Sequence, residues 1–237
     1  MKTILLKFSG PLQAWGIGSH FETRDTDRYP SKSAVIGLIG ASLGISRDDE
    51  ENIVKLNSLQ FAVRIDQPGQ IVKDFQIATK YKDLYKEKFD RTYVSNRYYL
   101  QDAVFMVAIS SDDDSYIEMI DEAIRNPYYA TFMGRRSLPV NADFIQGVFD
   151  EDGISLLKSY PWQAMDFYKK KGSEPLEVYS DGEMVDSRES FLKQDRVISF
   201  SQKRRKHGYR LVKRIEVQLE PNKTVNDDHD IFAEIGE

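Results

Sequence analysis

Apolar residues along this chain fall mostly into short runs closed by turn-forming residues, and helical periodicity shows at only a few places. Residues 3–8 read Thr-Ile-Leu-Leu-Lys-Phe, a β-type run ended by Ser9-Gly10-Pro11, and predict a first strand. Tyr29-Pro30-Ser31-Lys32-Ser33 sets a proline and hydroxyl residues ahead of the apolar stretch 34–44, the start signal of a helix. Gly37, Gly40 and Gly44 lower the helix propensity of that stretch, so it is expected to be buried, with its glycines allowing a close neighbour. Residues 59–66 and 71–79 flank Gln67-Pro68-Gly69-Gln70 in a strand, turn, strand pattern. Residues 104–109 predict a further strand and 116–125 an amphipathic helix. Strand, helix, strand, strand, then strand and helix is the order of a ferredoxin-like (RRM-like) α+β unit.

The second half carries fewer helix signals. Residues 144–149, 176–179, 197–201 and 211–219 read as strands. The expected organisation is therefore a ferredoxin-like domain over 1–140 with an insertion at about 79–100, a smaller β-rich C-terminal lobe over 141–220, and an acidic tail over 221–237 expected to be mobile.

Composition narrows the function classes. There is no cysteine, which removes disulfides, thiolate metal sites and a cysteine nucleophile. No run approaches the ~20 apolar residues a membrane span needs, and a soluble cytoplasmic chain is expected. A net charge of -5 argues against a nucleic-acid partner until its distribution is seen. Lys203, Arg204, Arg205, Lys206, Arg210, Lys213 and Arg214 form a basic strip free of acid, while 112–122 and 227–237 collect acidic residues. A basic strip on an acidic body can hold RNA locally; two exposed, solvated strands give the same pattern.

Three segments carry candidate chemistry. The insertion places Tyr81, Tyr85, Phe89 and Tyr93 at spacing four among Lys80, Lys82, Lys86, Lys88, Arg91 and Arg97. Ring faces that stack bases beside cations that meet phosphates suit single-stranded RNA, and the same composition suits a lid packed on the body. In Thr131-Phe-Met-Gly-Arg-Arg-Ser-Leu-Pro139, Gly134 permits a tight turn while Arg135 and Arg136 offer forked donors for phosphate or for structural ion pairs. Ser31, Lys32 and Ser33 open the expected helix, where free N–H groups, hydroxyls and an ammonium can converge on a phosphate or simply cap the helix. His20, His207 and His229 form no metal motif, and no nucleophile elbow is present, so neither cofactor nor metal is called for.

Taken in order, several segments form a pattern: Ser9-Gly-Pro-Leu-Gln-Ala-Trp-Gly16, Thr23-Arg24, Tyr29-Pro-Ser-Lys-Ser-Ala-Val-Ile-Gly-Leu-Ile-Gly-Ala-Ser-Leu-Gly-Ile45, Tyr99-Leu-Gln-Asp-Ala-Val-Phe-Met-Val-Ala108 and Gly134-Arg-Arg-Ser-Leu-Pro139. Together they resemble the CasD-type subunits of type I-E CRISPR Cascade complexes, within the repeat-associated RNA-binding superfamily. The likeness is strong over roughly residues 1–140 and loose beyond, and Leu138 stands where a cysteine is frequent. It implies a ferredoxin-like body with an inserted thumb, a non-catalytic role gripping the 5′ handle of the guide RNA, and antiviral defence as the setting. Implied partners are the guide RNA, a backbone-forming subunit, a large target-recognition subunit and, through the complex, target DNA. Carried onto this chain, it nominates Gln13, Trp15, Arg24, Ser31, Lys32, Arg47, Arg97, Arg135 and Arg136, with Arg204, Arg205 and Arg210 from the basic strip; Trp15 can equally anchor the core. The alternative is a metal-independent endoribonuclease processing repeat RNA, with His207 as base beside Lys206 and Tyr209. A third reading, a protein-interaction module without RNA, also remains.

Overall fold

The computed structural model describes residues 1–16, 22–83, 88–170 and 175–219, apart from the side chains of 80–91. Chain order is β1 (Lys2–Ser9), β2 (Leu12–Gln13), β3 (Thr23–Arg24), α1 (Lys32–Ser42), α2 (Glu50–Leu56), β4 (Gln60–Gln67), β5 (Gln70–Asp83), β6 (Lys88–Gln101), β7 (Val104–Ser111) and α3 (Asp114–Arg125). It continues with β8 (Ile145–Phe149), α4 (Gly153–Ser159), α5 (Asp166–Lys169), β9 (Leu176–Asp181), β10 (Ser190–Ser199) and β11 (Lys206–Val217).

The result is a mixed α/β fold around a 7-stranded sheet in the order β10-β11-β9-β4-β7-β1-β8, antiparallel at every junction. Alternation along β1 explains why both faces are covered. Ile4, Leu6 and Phe8 point to a core shared with α1, α2 and α3, whereas Leu5 points to a second core shared with α4. Helix α3 seats Ile117, Ile120 and Ile124 on the first face, and Asp113 caps it by accepting from Tyr116 N at 3.1 Å. On the opposite face α4 seats Ile154, Leu156 and Leu157 against β4 and β7, so this sheet has no open central face.

Strand β4 continues into β5 through Pro68 and Gly69, the latter at φ 68°. The expected strand, turn, strand pattern is present, but β4 and β5 do not pair. The turn passes the chain to a second sheet, in which β5 pairs β6 from Gln70↔Gln101 outward, and β2 and β3 lie along the other edge of β6. The expected insertion is thus the outer part of one long hairpin with strands of 14 residues each. The boundary expected at 140/141 does not interrupt hydrogen bonding: β8 joins β1, and β9 joins β4, in the same sheet as the N-terminal strands.

Arg64 and Asp66 lock the C-terminal segment to that sheet. Both are fully buried, the guanidinium meets the carboxylate at 2.7 and 2.9 Å, and its remaining N–H groups donate to the carbonyls of Leu157, Tyr160 and Pro161. Asp66 also accepts from Gln163 N at 2.6 Å, and its carbonyl accepts from Trp162 Nε1 at 2.8 Å. Every guanidinium donor has a partner, the condition under which a buried ion pair is tolerated.

Candidate nucleic-acid interface

Two of the quoted motifs meet at the base of the β5–β6 hairpin. Leu12 and Gln13 pair with Gln101 and Leu100, and Ala14 N donates to Met133 O at 3.2 Å. Gly134 lies against the same residue at φ 83°, where a Cβ would fall 1.6 Å from Ala14 O. Only glycine fits there, and its fit sets where Arg135 and Arg136 begin.

Arg135 turns back onto the hairpin. Its guanidinium lies 4.1 Å from the Tyr99 ring centroid, and Nη2 donates to Arg24 O at 3.0 Å and Tyr98 O at 2.9 Å. Tyr93, Arg97 and Tyr99 alternate onto one face of β6, and Arg24 is in parallel register with Arg97. Arg24, Arg97 and Arg135 therefore gather beside two tyrosines. Arg97 Nε and Arg135 Nη1 are buried and have no acceptor among the described residues. Next to them, Glu22, Thr23, Thr92, Tyr93, Val94 and Asn96 line an open cleft of ≈ 410 Å³.

The other nominated residues divide into committed and exposed. Gln13 and Trp15 are 0% and 1% exposed. Gln13 Nε2 donates to Ala103 O at 2.8 Å, Trp15 Nε1 donates to Gln13 Oε1 at 3.0 Å, and the indole packs edge-on to Phe8 at 5.0 Å. Both side chains are core groups that close the sheet over the glycine-proline turn, and neither is exposed for the RNA contact expected of it. The helix start has partners within the chain as well. Ser31 is the N-cap, accepting from Ala34 N at 3.3 Å. Lys32 Nζ meets Asp181 at 2.9 Å and Asn57 O at 3.1 Å, while Lys32 N donates to Asp195 Oδ2 at 3.0 Å. A carboxylate of the chain's own occupies the place expected for phosphate. Burial lowers the Lys32 pKa from its usual value, opposed by the pull of Asp181.

Arg210 completes this network, with Nε at 2.6 Å from Asp195 and Nη1 at 2.9 Å from Asp181, so it too is committed to the fold. Asp181 also accepts from Phe61 N at 2.9 Å. Arg47, Arg136, Arg204 and Arg205 are exposed. Antiparallel pairing of β9 with both β4 and β11 makes β11 run parallel to β4, so its first residue Lys206 lies at the end of the sheet remote from Gln67 and the hairpin. Arg204 and Arg205, just before it, are therefore not brought together with the Arg24, Arg97 and Arg135 cluster. Of the expected thumb aromatics, Tyr85 and the side chains of Tyr81 and Phe89 lie outside the described residues.

His207 does not join Lys206 and Tyr209 in a site. It is half-buried against Phe200 at 6.3 Å between ring centroids, its Nε2 is buried without a partner among the described residues, and burial lowers its pKa, with Arg205 adding to the effect. Among the described residues no three His, Asp or Glu side chains group as metal ligands, and no helix is long and apolar enough to cross a membrane.

The family model for CRISPR-associated protein Cas5 matches residues 3–213. The chain belongs to the Cas5 family. It is 32% identical over 181 residues to the CRISPR system Cascade subunit CasD of Escherichia coli K12, covering 71% of this chain and 81% of that one. A chain of a solved CRISPR RNA-guided surveillance complex superposes with TM-score 0.76 at 25% identity, covering 93% of this chain and 95% of its own length. A Cas protein crystal structure gives TM-score 0.64 at 28% identity, covering 91% and 95%. Within this Cas5-family chain, sequence reading missed Tyr99 as the ring beneath Arg135 and Asp181 and Asp195 as the anions that claim Lys32 and Arg210. The signal for Asp195 was present: it sits between Lys193 and Val197 on the inward parity of a strand, where an acid needs a partner.

Proposed function

We propose that this chain is a non-catalytic subunit of a type I-E CRISPR surveillance complex that grips the 5′ handle of the guide RNA at the base of its β5–β6 hairpin. The observation that carries the reading is the pair of buried, unanswered donors on Arg97 and Arg135, set beside Arg24 and the Tyr93 and Tyr99 rings. Buried donors left unpaired cost free energy, and phosphate oxygens are the acceptors that forked guanidinium groups fit best. The half-buried Tyr93 ring beside them supplies a stacking face for an unpaired base, while Tyr99, buried beneath Arg135, holds that guanidinium in place. The hairpin then serves as the thumb. The path β1-α1-β4-β7-α3-β8 in spatial order β4-β7-β1-β8 supports a ferredoxin-like body. Because α4 covers the sheet face that an RRM offers to RNA, the grip falls to the hairpin base and the glycine-arginine loop.

The relatives named as a Cascade subunit and as part of a surveillance complex support a cytoplasmic assembly containing guide RNA, a backbone-forming subunit and a large target-recognition subunit, with target DNA reached through the complex. The half-burial of His207 against Phe200 disfavours the endoribonuclease alternative. The test is titration of labelled 5′-handle RNA, by fluorescence anisotropy, into the wild type and Arg97→Ala plus Arg135→Ala. Affinity should fall at least about tenfold and the salt slope should drop by about one per arginine. An unchanged affinity in a natively folded variant removes the proposal.

A further inference from the structure

Residues 206–210 of β11 pair with β10 alone, because pairing with β9 begins at Val212 and Leu211 O accepts from Gly182 N just past β9. This outer part of the β10–β11 hairpin therefore stands beyond the main sheet. Its inner face is fixed: Asp195, Val197 and Ser199 are buried, Asn57 Nδ2 donates to Val197 O at 2.8 Å, the Phe200 ring lies 3.4 Å from the Cβ position of Gly37, and Arg210 holds Asp195 and Asp181. The outer face is different. Leu192 is 67% exposed, Tyr209 62%, Leu211 44% and Ile198 38%, with Leu192 directly opposite Leu211. Ile198 and Leu211 lie flat over Gly208 and Gly182, whose Cβ positions they approach to 3.2 and 2.8 Å. Arg196 lies between Leu192 and Ile198 on this face, and the run 203–206 follows at its turn end, all exposed and none ion-paired among the described residues.

We propose that this outer face docks a protein partner whose own surface has an apolar centre and an acidic rim, within the ribonucleoprotein assembly on which the preceding reading rests. An exposed aliphatic face with cations gathered toward its turn end has the features of a protein interface, an apolar part that can be desolvated and a charged margin. Nucleic acid fits it poorly, since three of the four central side chains offer no ring for a base. The locked inner face means that the partner meets a preformed surface, and little ordering is lost on binding. The basic rim selects acid by complementarity and makes the association salt-sensitive.

The experiment uses the full chain co-expressed with its neighbouring subunits and guide RNA, purified through a tag on another subunit, with subunit ratios read by native mass spectrometry. Leu192→Asp plus Leu211→Asp should reduce this chain's incorporation, or that of one protein neighbour, by at least about tenfold. The same variant should keep its thermal midpoint and its handle-RNA affinity. Arg204→Glu plus Arg205→Glu leaves the apolar centre intact and should give a smaller loss that deepens with salt. Unchanged subunit ratios in both variants overturn the proposal, as does loss of handle-RNA affinity with all subunits retained, which would assign the face to nucleic acid. A failed Arg97 and Arg135 test leaves these subunit ratios untouched, so the two readings can fail separately.

Discussion

Two groups of basic residues in this chain have opposite fates. Lys32 and Arg210 converge at the start of α1, where Asp181 and Asp195 answer their charges from neighbouring strands. Arg24, Arg97 and Arg135 converge at the hairpin base, where no carboxylate is hydrogen-bonded to them and two buried donors stay open. What separates the two groups is whether a carboxylate closes onto the cation: Asp74 faces Arg97 across the β5–β6 pair, yet it accepts from Gln76 and leaves Arg97 Nε open.

Removing one cation from each group should break them in different ways. Arg210→Ala leaves Asp181 and Asp195 buried with half their positive partners gone and should cost about 3–5 kcal/mol of stability, read by urea unfolding, with handle-RNA affinity of the folded protein unchanged. Arg97→Ala should do the reverse: stability nearly intact and about 1.5–3 kcal/mol lost from RNA binding in the anisotropy titration. If both variants lose the same property, the contrast between the groups collapses. Gly134→Ala tests whether the open group depends on its backbone rather than its charges. Forcing a side chain into a left-handed conformation costs about 1–3 kcal/mol before the clash with Ala14 is counted, and RNA affinity should fall although no arginine has changed.

The smallest expected effect concerns pH. His207 has its folded pKa lowered below the ordinary 6.5. The unfolded chain then binds the proton more readily, so stability is full above pH 6.5 and declines as pH falls toward the folded value. Thermal midpoints measured between about pH 5 and 7 should show this decline in the wild type and a flatter profile in His207→Gln.

β1, β4, β5, β7, β8, β9 and the two longer helices were legible because apolar alternation and helix-start signals are local, whereas β2, β3, β6 and most of β10 were not read as strands. α2, α4 and α5 span 7, 7 and 4 residues, too short for periodicity to declare them. The site was half legible. The glycine-arginine loop and the aromatic-basic hairpin stood out in composition, and both contribute to the open cluster. Trp15, Gln13, Lys32 and Arg210 carry equally suggestive side chains, but their partners lie far away in sequence: Lys32 to Asp181 and Arg210 to Asp195 are pairings that only sheet order creates. The same holds for the seeming C-terminal lobe, since strand runs reveal that strands exist and not which sheet receives them.

The Arg64 and Asp66 pair bears on how this chain can be taken apart. A fragment ending near residue 140 would lose the three carbonyls that occupy Arg64, the helix that covers β4 and β7, and strands on both sides of the central sheet. It would present a naked apolar sheet with a half-satisfied guanidinium in its middle, the surface of an aggregating intermediate. The segment carrying the family motifs is thus inseparable from the C-terminal segment that completes its sheet. Split reporters, truncated forms and grafted RNA-binding modules built from this protein should respect that indivisibility and cut elsewhere.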